Sequence, residues 1–144
     1  STTINDAYSC SDTLVSVVKD YEALLAHAGA KQSQRLLVYS GDVDGIVPTQ
    51  ATRRWVAELI SRRNATDPTT TSDSSSKGGG DWGAWFEGAG RGQLAGYTQR
   101  WEWENNASLV FATVRNAGHQ VPAFQPKRAF AMARRFIYNG TLQI

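Results

Sequence analysis

The sequence has few cysteines, little net charge and no long apolar run, and each of these features would have indicated a particular class of protein. It has one cysteine, and its 15 lysines and arginines nearly balance its 13 aspartates and glutamates, so that the net charge is only +2. There is no basic or acidic excess to favour binding to nucleic acid. No apolar run approaches the roughly 20 residues that cross a bilayer, and we expect a soluble chain. With 41% hydrophobic residues, the composition is typical of one globular domain or part of one.

The start of the chain lacks both a methionine and a basic, apolar leader. We therefore expect that a leader has been removed or that the chain was cut from a larger precursor. Three N-glycosylation sequons, which begin at Asn64, Asn106 and Asn139, favour the secretory pathway and a secreted, vacuolar or lysosomal location. In such a compartment the lone Cys10 indicates a disulfide to another chain or a free thiol. A small buried apolar residue is the other interpretation.

Three segments have apolar residues at helical spacing together with signals for helix ends. The first covers residues 11–28, with Ser11 or Asp12 as its cap and Gly29 at its end; the second opens at Pro48 and Thr49; the third covers residues 126–138 and ends at Asn139 and Gly140. Proline is favoured in the first turn of a helix and glycine just past the last. Three helices are therefore predicted.

Two apolar runs, residues 35–39 and 109–114, predict strands that are buried on both faces, as in a parallel sheet. Between them, residues 64–80 are of low complexity and predict a loop insertion. Residues 82–103 are rich in tryptophan, and we expect these aromatic side chains to pack against a sheet edge rather than to stack on a ligand. The alternation of helices and strands predicts an α/β fold. Two strands cannot form a sheet with both faces covered, so the remaining strands must come from elsewhere.

Three side chains with acid–base chemistry follow the predicted strands. Asp42 and Asp44 come directly after the first strand, and His119 follows the second. Functional residues gather at the carboxyl ends of parallel strands, so Asp44 and His119 are expected to meet. A carboxylate that binds one ring nitrogen of a histidine lets the other nitrogen take a proton from a nucleophile. We expect Asp42 to cap the turn that follows it, and a role as a second acid near His119 is the alternative.

A nucleophile for this pair is missing from the sequence. The chain has no Gly-x-Ser-x-Gly segment, and Cys10 lies at the wrong end to replace one. The order of acid and then histidine nevertheless agrees with the order of nucleophile, acid and histidine in α/β-hydrolases.

The segments YSGDVDGIVP and VRNAGHQVPAFQPKRA, with CSDTL before them and AGYTQRW between them, resemble the C-terminal part of a serine carboxypeptidase. The family also contains plant acyltransferases and a hydroxynitrile lyase. The resemblance covers residues 8–138, apart from the insertion. It implies that residues 1–144 are the C-terminal portion of a single α/β-hydrolase domain, with residues 64–80 inserted into it. A mostly parallel sheet would be completed by a partner chain.

The resemblance also implies roles for single residues. Asp44 would be the acid of the catalytic triad and His119 its general base, while the serine would lie on a large chain that is linked through a disulfide at Cys10. Gln120 would lie near the substrate, a peptide with a free C-terminus. Asn116 stands where the family often has glycine, and we expect it to be tolerated if the turn does not need a positive φ. No cofactor or metal is implied.

Two other functions remain open from the sequence. An acyltransferase or a hydroxynitrile lyase would keep the same fold and triad but change the reaction. A non-catalytic glycoprotein module would instead use the tryptophan-rich stretch to bind carbohydrate or a protein partner.

Overall fold

The computed structural model describes residues 16–29, 33–66, 82–88, 92–140 and 142. In chain order the elements are α1 (Val18–Ala26), β1 (Gln34–Gly41), α2 (Thr49–Thr66), β2 (Gly83–Phe86), β3 (Leu94–Glu102), β4 (Ala107–Val114), α3 (Val121–Phe124) and α4 (Pro126–Asn139). Cys10, both candidate caps of the first helix and most of the predicted insertion lie outside the described residues.

The described strands form one mixed sheet in the order β1, β4, β3, β2. β1 pairs in parallel with β4, from Gln34 opposite Ala107 to Gly41 opposite Val114. β3 is antiparallel to both β4 and β2. A short turn joins β3 to β4, and such a connection allows only an antiparallel pair. The expectation of a mostly parallel sheet is therefore not met in the described strands, although the α/β class is confirmed.

The two predicted strands differ in their surroundings. β4 is central, and seven of its eight residues are buried. β1 is an edge strand among the described residues, and Tyr39 within it is 44% exposed. Burial on both faces was thus correct for β4 and wrong for β1, of which only Ser40 and Gly41 are buried. β1 lies at the edge of the described sheet, where fewer neighbouring side chains cover the two faces.

The tryptophan-rich stretch contains two strands that the sequence analysis did not predict. Trp85 of β2 is 1% exposed, and its indole N–H donates a hydrogen bond to the carbonyl oxygen of Thr113 in β4 at 2.9 Å. Gly96 of β3 makes room for this indole, since a Cβ there would lie 2.7 Å from Trp85 Nε1. Trp101 is buried as well. These side chains are part of the sheet and its core, which agrees with packing rather than ligand stacking.

Helices cover both faces of the sheet. Side chains alternate between the faces along a strand, and β4 accordingly contributes Leu109 and Phe111 to one core and Val110 and Ala112 to the other. The first core includes α1 and α2, and the second includes α3 and α4. None of the helices in the described ranges has the length and apolar character that a bilayer crossing requires.

The predicted helices are present with shifted bounds. α1 begins at Val18 and has no side-chain cap, whereas the sequence predicted a start at residue 11. Pro48 precedes α2 as predicted, and α2 continues to Thr66, beyond the predicted start of the insertion. α4 ends at Asn139, and Gly140 caps it with a φ of 68°, which confirms the predicted end.

Candidate functional site

Asp44 and His119 are hydrogen-bonded to each other. The distance between His119 Nδ1 and Asp44 Oδ2 is 2.9 Å, although the residues are 75 apart in the sequence. The parallel pairing of β1 with β4 produces this contact, because it sets Gly41, the last residue of β1, opposite Val114, the last residue of β4. Both loops therefore leave the sheet at the same edge, as the sequence predicted.

The two oxygens of Asp44 have different partners. Oδ1 accepts hydrogen bonds from the backbone N–H groups of Ile46 at 2.8 Å and Val47 at 3.0 Å, so the carboxylate orders its own loop. Oδ2 is left to accept from His119. The side chain of Asp44 is only 6% exposed. Its position is consequently fixed by three hydrogen bonds and by burial.

These contacts also change the acidity of Asp44. Desolvation of the carboxylate acts to raise its pKa, but the hydrogen bonds from His119, Val47 and Ile46 and the charge on His119 together lower the pKa below its ordinary value. Hydrogen bonds that stabilise the ionised form have this effect. Asp44 is therefore a carboxylate at neutral and mildly acidic pH.

His119 is accessible on its other side. Its side chain is 49% exposed, and no serine or cysteine hydrogen-bonds to it within the part of the chain that the structure describes. A neutral imidazole that donates from Nδ1 has its lone pair on Nε2. This nitrogen can therefore accept a proton from a group outside the described residues.

The two loops approach each other very closely at Gly41. The N–H of Val43 donates to the carbonyl oxygen of Ala117 at 3.2 Å. A Cβ on Gly41 would lie 2.5 Å from the carbonyl oxygen of Gly118, and closer still to that of Ala117. Only glycine fits at this position without a shift of one of the two loops.

Asp42 has a different partner from the one predicted. Its Oδ1 accepts a hydrogen bond at 2.7 Å from the backbone N–H of Asn116, 74 residues away, so it caps the turn before His119 rather than the turn that follows it. Asn116 has a φ of 57°. The turn does need a positive φ, and asparagine is one of the few residues other than glycine that adopt it readily.

The other predicted site residues lie around this centre or away from it. Gln120 is exposed next to His119 and precedes α3. Asn64 Oδ1 accepts a hydrogen bond from the indole of Trp103, and Asn106 Nδ2 donates one to the carbonyl oxygen of Gly29. Asn139 is exposed at the end of α4. Of the three sequon asparagines, Asn106 and Asn139 are exposed, whereas Asn64 is half-buried.

Three supporting residues were not predicted from the sequence. Thr49 Oγ1 donates to the carbonyl oxygen of Gly41 at 2.9 Å, and Gln125 Nε2 donates to that of Asn116 at 3.0 Å. The buried Arg128 donates from Nη1 to the carbonyl oxygen of Arg115 at 2.5 Å. Thr49 has a signal in the sequence, since it opens a predicted helix, but the partners of the other two depend on the tertiary fold. No three His, Cys, Asp or Glu side chains gather to hold a metal ion within the described ranges.

An α/β sheet with an Asp–His pair beyond the ends of parallel strands is consistent with part of an α/β-hydrolase fold. Sequence comparisons are more specific, because the family model described as serine carboxypeptidase matches residues 2–139. The chain belongs to the serine carboxypeptidase family, which is a family of hydrolases.

Individual relatives agree with this assignment. Serine carboxypeptidase 24 of Arabidopsis thaliana is 33% identical over 93% of this chain and 24% of its own length. Serine carboxypeptidase 1 of Hordeum vulgare is 30% identical over 92% of this chain and 22% of its own length. Serine carboxypeptidase-like 40 of Arabidopsis thaliana is 36% identical over 77% of this chain and 18% of its own length. The chain thus spans about a fifth of the length of the curated relatives that it matches.

Proposed function

We infer that this chain supplies the acid and the base of a Ser-Asp-His triad in a serine carboxypeptidase that removes C-terminal amino acids from peptides. The observation that carries the proposal is the 2.9 Å hydrogen bond between Asp44 and His119. It joins a buried carboxylate to a half-exposed imidazole. Membership of the serine carboxypeptidase family supplies the reaction class.

The geometry supports a different role for each of His119 and Asp44. His119 takes the proton of the nucleophilic serine through Nε2 and returns it to the leaving amine. Asp44 holds Nδ1–H, fixes the tautomer and stabilises the imidazolium that forms. Its own place is fixed by Ile46 and Val47. Gln120 borders the site and contacts the substrate.

The nucleophile belongs, in this proposal, to a large chain of the same precursor that is linked through Cys10. Among the described residues no strand pairs with the outer edge of β1. This supports an incomplete domain, since strand edges are normally covered or paired. Residues 1–144 are then the C-terminal portion of one α/β-hydrolase domain with an insertion at residues 64–80. A strand of the partner chain pairs with β1 and completes the sheet.

The proposed location is the secretory pathway, with a secreted, vacuolar or lysosomal destination. The three sequons and the family support it. A disulfide at Cys10 is compatible with the oxidising conditions there.

An acyltransferase or lyase on the same fold would use the same pair of residues. The relevant assay offers the native protein an N-blocked dipeptide and, separately, a glucose ester with an acceptor. Release of the C-terminal amino acid without a transfer product supports the peptidase. The alternative of a binding module loses its main support, because Trp85 and Trp101 are buried in the sheet.

The test of the proposed base is the substitution His119→Ala in the native protein that contains this chain. We expect kcat on the dipeptide to fall by on the order of 10⁶-fold, as for loss of a triad histidine. The matched control is His27→Ala. His27 is the other histidine of the chain, and its Nδ1 donates to the carbonyl oxygen of Ala23 in α1. Retained turnover in the His119 variant would refute the proposal.

The partner chain is tested separately by electrophoresis of the native protein with and without reductant. We expect a larger band that separates into two chains only on reduction. A free thiol at Cys10 would contradict the proposed disulfide.

A further inference from the structure

Asp42 connects the loop of Asp44 to the loop of His119. Its backbone N–H donates to the carbonyl oxygen of Val114 at 3.1 Å, and its carboxylate accepts from the N–H of Asn116 at 2.7 Å. One residue therefore contacts both the end of β4 and the turn that follows it. Asp44 lies two positions further along the same loop.

The turn before His119 is held at several points by side chains and backbone. Asn116 has a left-handed φ of 57°, and its carbonyl oxygen accepts from Gln125 Nε2 at 3.0 Å. The next carbonyl oxygen, that of Ala117, accepts from the N–H of Val43. Asp42 provides the carboxylate contact to this turn, and carboxylates form shorter and stronger hydrogen bonds with N–H groups than neutral acceptors do.

We propose that Asp42 is a positioning residue that sets the distance and angle between Asp44 and His119 by fixing the turn at Asn116. The inference rests on the proposed function, in which His119 is the base. Asp42 acts through the backbone, and its carboxylate is hydrogen-bonded to Asn116 rather than to the imidazole. Its contribution is geometric, because catalytic groups must be held within about 0.5 Å of their productive positions.

A geometric role and an electrostatic role predict opposite orders for two conservative substitutions. Asp42→Asn keeps an oxygen in place to accept from Asn116 but removes the charge. Asp42→Glu keeps the charge but displaces the oxygens by one methylene group. Positioning requires the Asn variant to be the more active, whereas a second acid requires the Glu variant to be the more active. Asp42 is exposed, and substitutions at exposed positions usually change stability little. We therefore expect both variants to fold.

The experiment measures kcat and KM of the native protein on an N-blocked dipeptide for Asp42→Ala, Asp42→Asn and Asp42→Glu. A misplacement of about 1 Å can cost about 10²-fold in rate. We expect kcat to fall by about 10- to 100-fold in the Ala and Glu variants and by less than about fivefold in the Asn variant, with little change in KM. The downfield proton resonance of His119 Nδ1–H, observed by NMR, should shift or broaden in the Ala and Glu variants.

The matched control is Asn105→Ala at the opposite end of β4. Asn105 Oδ1 accepts from the N–H of Ala107, the first residue of β4, at 3.3 Å, and its Nδ2 donates to the carbonyl oxygen of Leu25 at 2.9 Å. Like Asp42, it connects an end of β4 to a segment distant in the sequence, but it lies far from His119 in the sheet. We expect this variant to keep its kcat. If Asp42→Ala fails to fold, the order of the Asn and Glu variants decides the question.

Each outcome has a distinct meaning. Retained activity in His119→Ala would overturn the proposed function. Loss of activity in His119→Ala with full kcat in Asp42→Ala would overturn this inference and leave the function intact. A Glu variant that is more active than the Asn variant would overturn positioning in favour of a second acid. An increase in KM without a change in kcat would also overturn it, because it would indicate a role in binding substrate.

Discussion

The close approach at Gly41 allows a quantitative prediction for the substitution Gly41→Ala. The new Cβ would lie 2.5 Å from the carbonyl oxygen of Gly118, whereas ordinary contact begins at 3.4 Å. The carbonyl oxygen of Ala117 would lie closer still, so the loop that carries His119 must retreat by more than about 0.9 Å. The neighbouring atoms are backbone, so that no side chain can rotate away. The hydrogen bond from Val43 to Ala117 would be stretched or broken at the same time.

A shift of this size should lower both turnover and stability. A displacement of about 1 Å corresponds to about 10²-fold in kcat, and overpacking usually costs about 1–3 kcal/mol in the free energy of unfolding. The assay is the release of the C-terminal amino acid from an N-blocked dipeptide by the native protein. Urea unfolding of the same samples measures the stability.

The matched control for this substitution is Gly45→Ala in the same loop. A Cβ on Gly45 meets no atom within 4 Å, and its φ is not left-handed. Such a replacement stabilises a protein by about 0.4–1 kcal/mol, because it restricts the unfolded chain. If Gly41→Ala keeps the kcat of the control to within about twofold, the close approach does not determine the geometry of the Asp–His pair.

Two further predictions concern stability. Arg128→Met removes the hydrogen bonds to Arg115 and Glu87 and should lower the free energy of unfolding by about 1–3 kcal/mol. The control Lys127→Met, at an exposed neighbouring position, should change it by less than about 0.5 kcal/mol. Equal effects of the two substitutions in urea unfolding would contradict this prediction. Asp44→Asn should reduce stability above the unfolded pKa of the carboxyl. Since folding lowers the pKa of Asp44, this difference from the wild type should vanish as pH falls through the folded pKa. A difference that is independent of pH would contradict the role of the ionised carboxylate.

The sequence predicted those parts of the fold that have strong local signals. The continuous apolar run of β4 and the Asn139–Gly140 end of α4 have physical causes within a few residues of chain, and the structure confirms both. The meeting of Asp44 and His119 followed from a general rule about strand ends. Its structural basis is the register of β1 against β4.

The strands β2 and β3 were missed because their signals conflict. Gly96 and Arg100 are unfavourable or neutral in strands, while Tyr97, Thr98 and Trp101 favour them. Recognition of these three β-formers within one short run would have predicted β3. The side of α4 that faces the core could not be predicted from apolar character alone. Phe130 on this helix is 69% exposed, while the charged Arg128 is buried. Arg128 donates to the carbonyl oxygen of Arg115 and to the carboxylate of Glu87, and neither partner is indicated by the local sequence.

The partner of Asp42 could not be predicted, because a turn aspartate normally caps a group two or three residues away. The N–H that binds Asp42 belongs to Asn116, 74 residues further on. The two groups meet only once β1 and β4 have paired. Local chemistry therefore predicted that Asp42 is a cap, and the tertiary fold determined which turn it caps.

The parallel pairing of β1 with β4 has a consequence for variation in chain length. The connection between these strands contains α2, β2 and β3, and the packing of these elements holds the ends of the segment between α2 and β2. Doubling the length of a flexible loop adds only about 0.6 kcal/mol to the entropy cost of closing it. Residues can be gained or lost between α2 and β2 without altering the separation of Asp44 and His119. The low-complexity segment that begins near Asn64 is therefore a position where relatives can differ in length while the Asp–His distance stays the same.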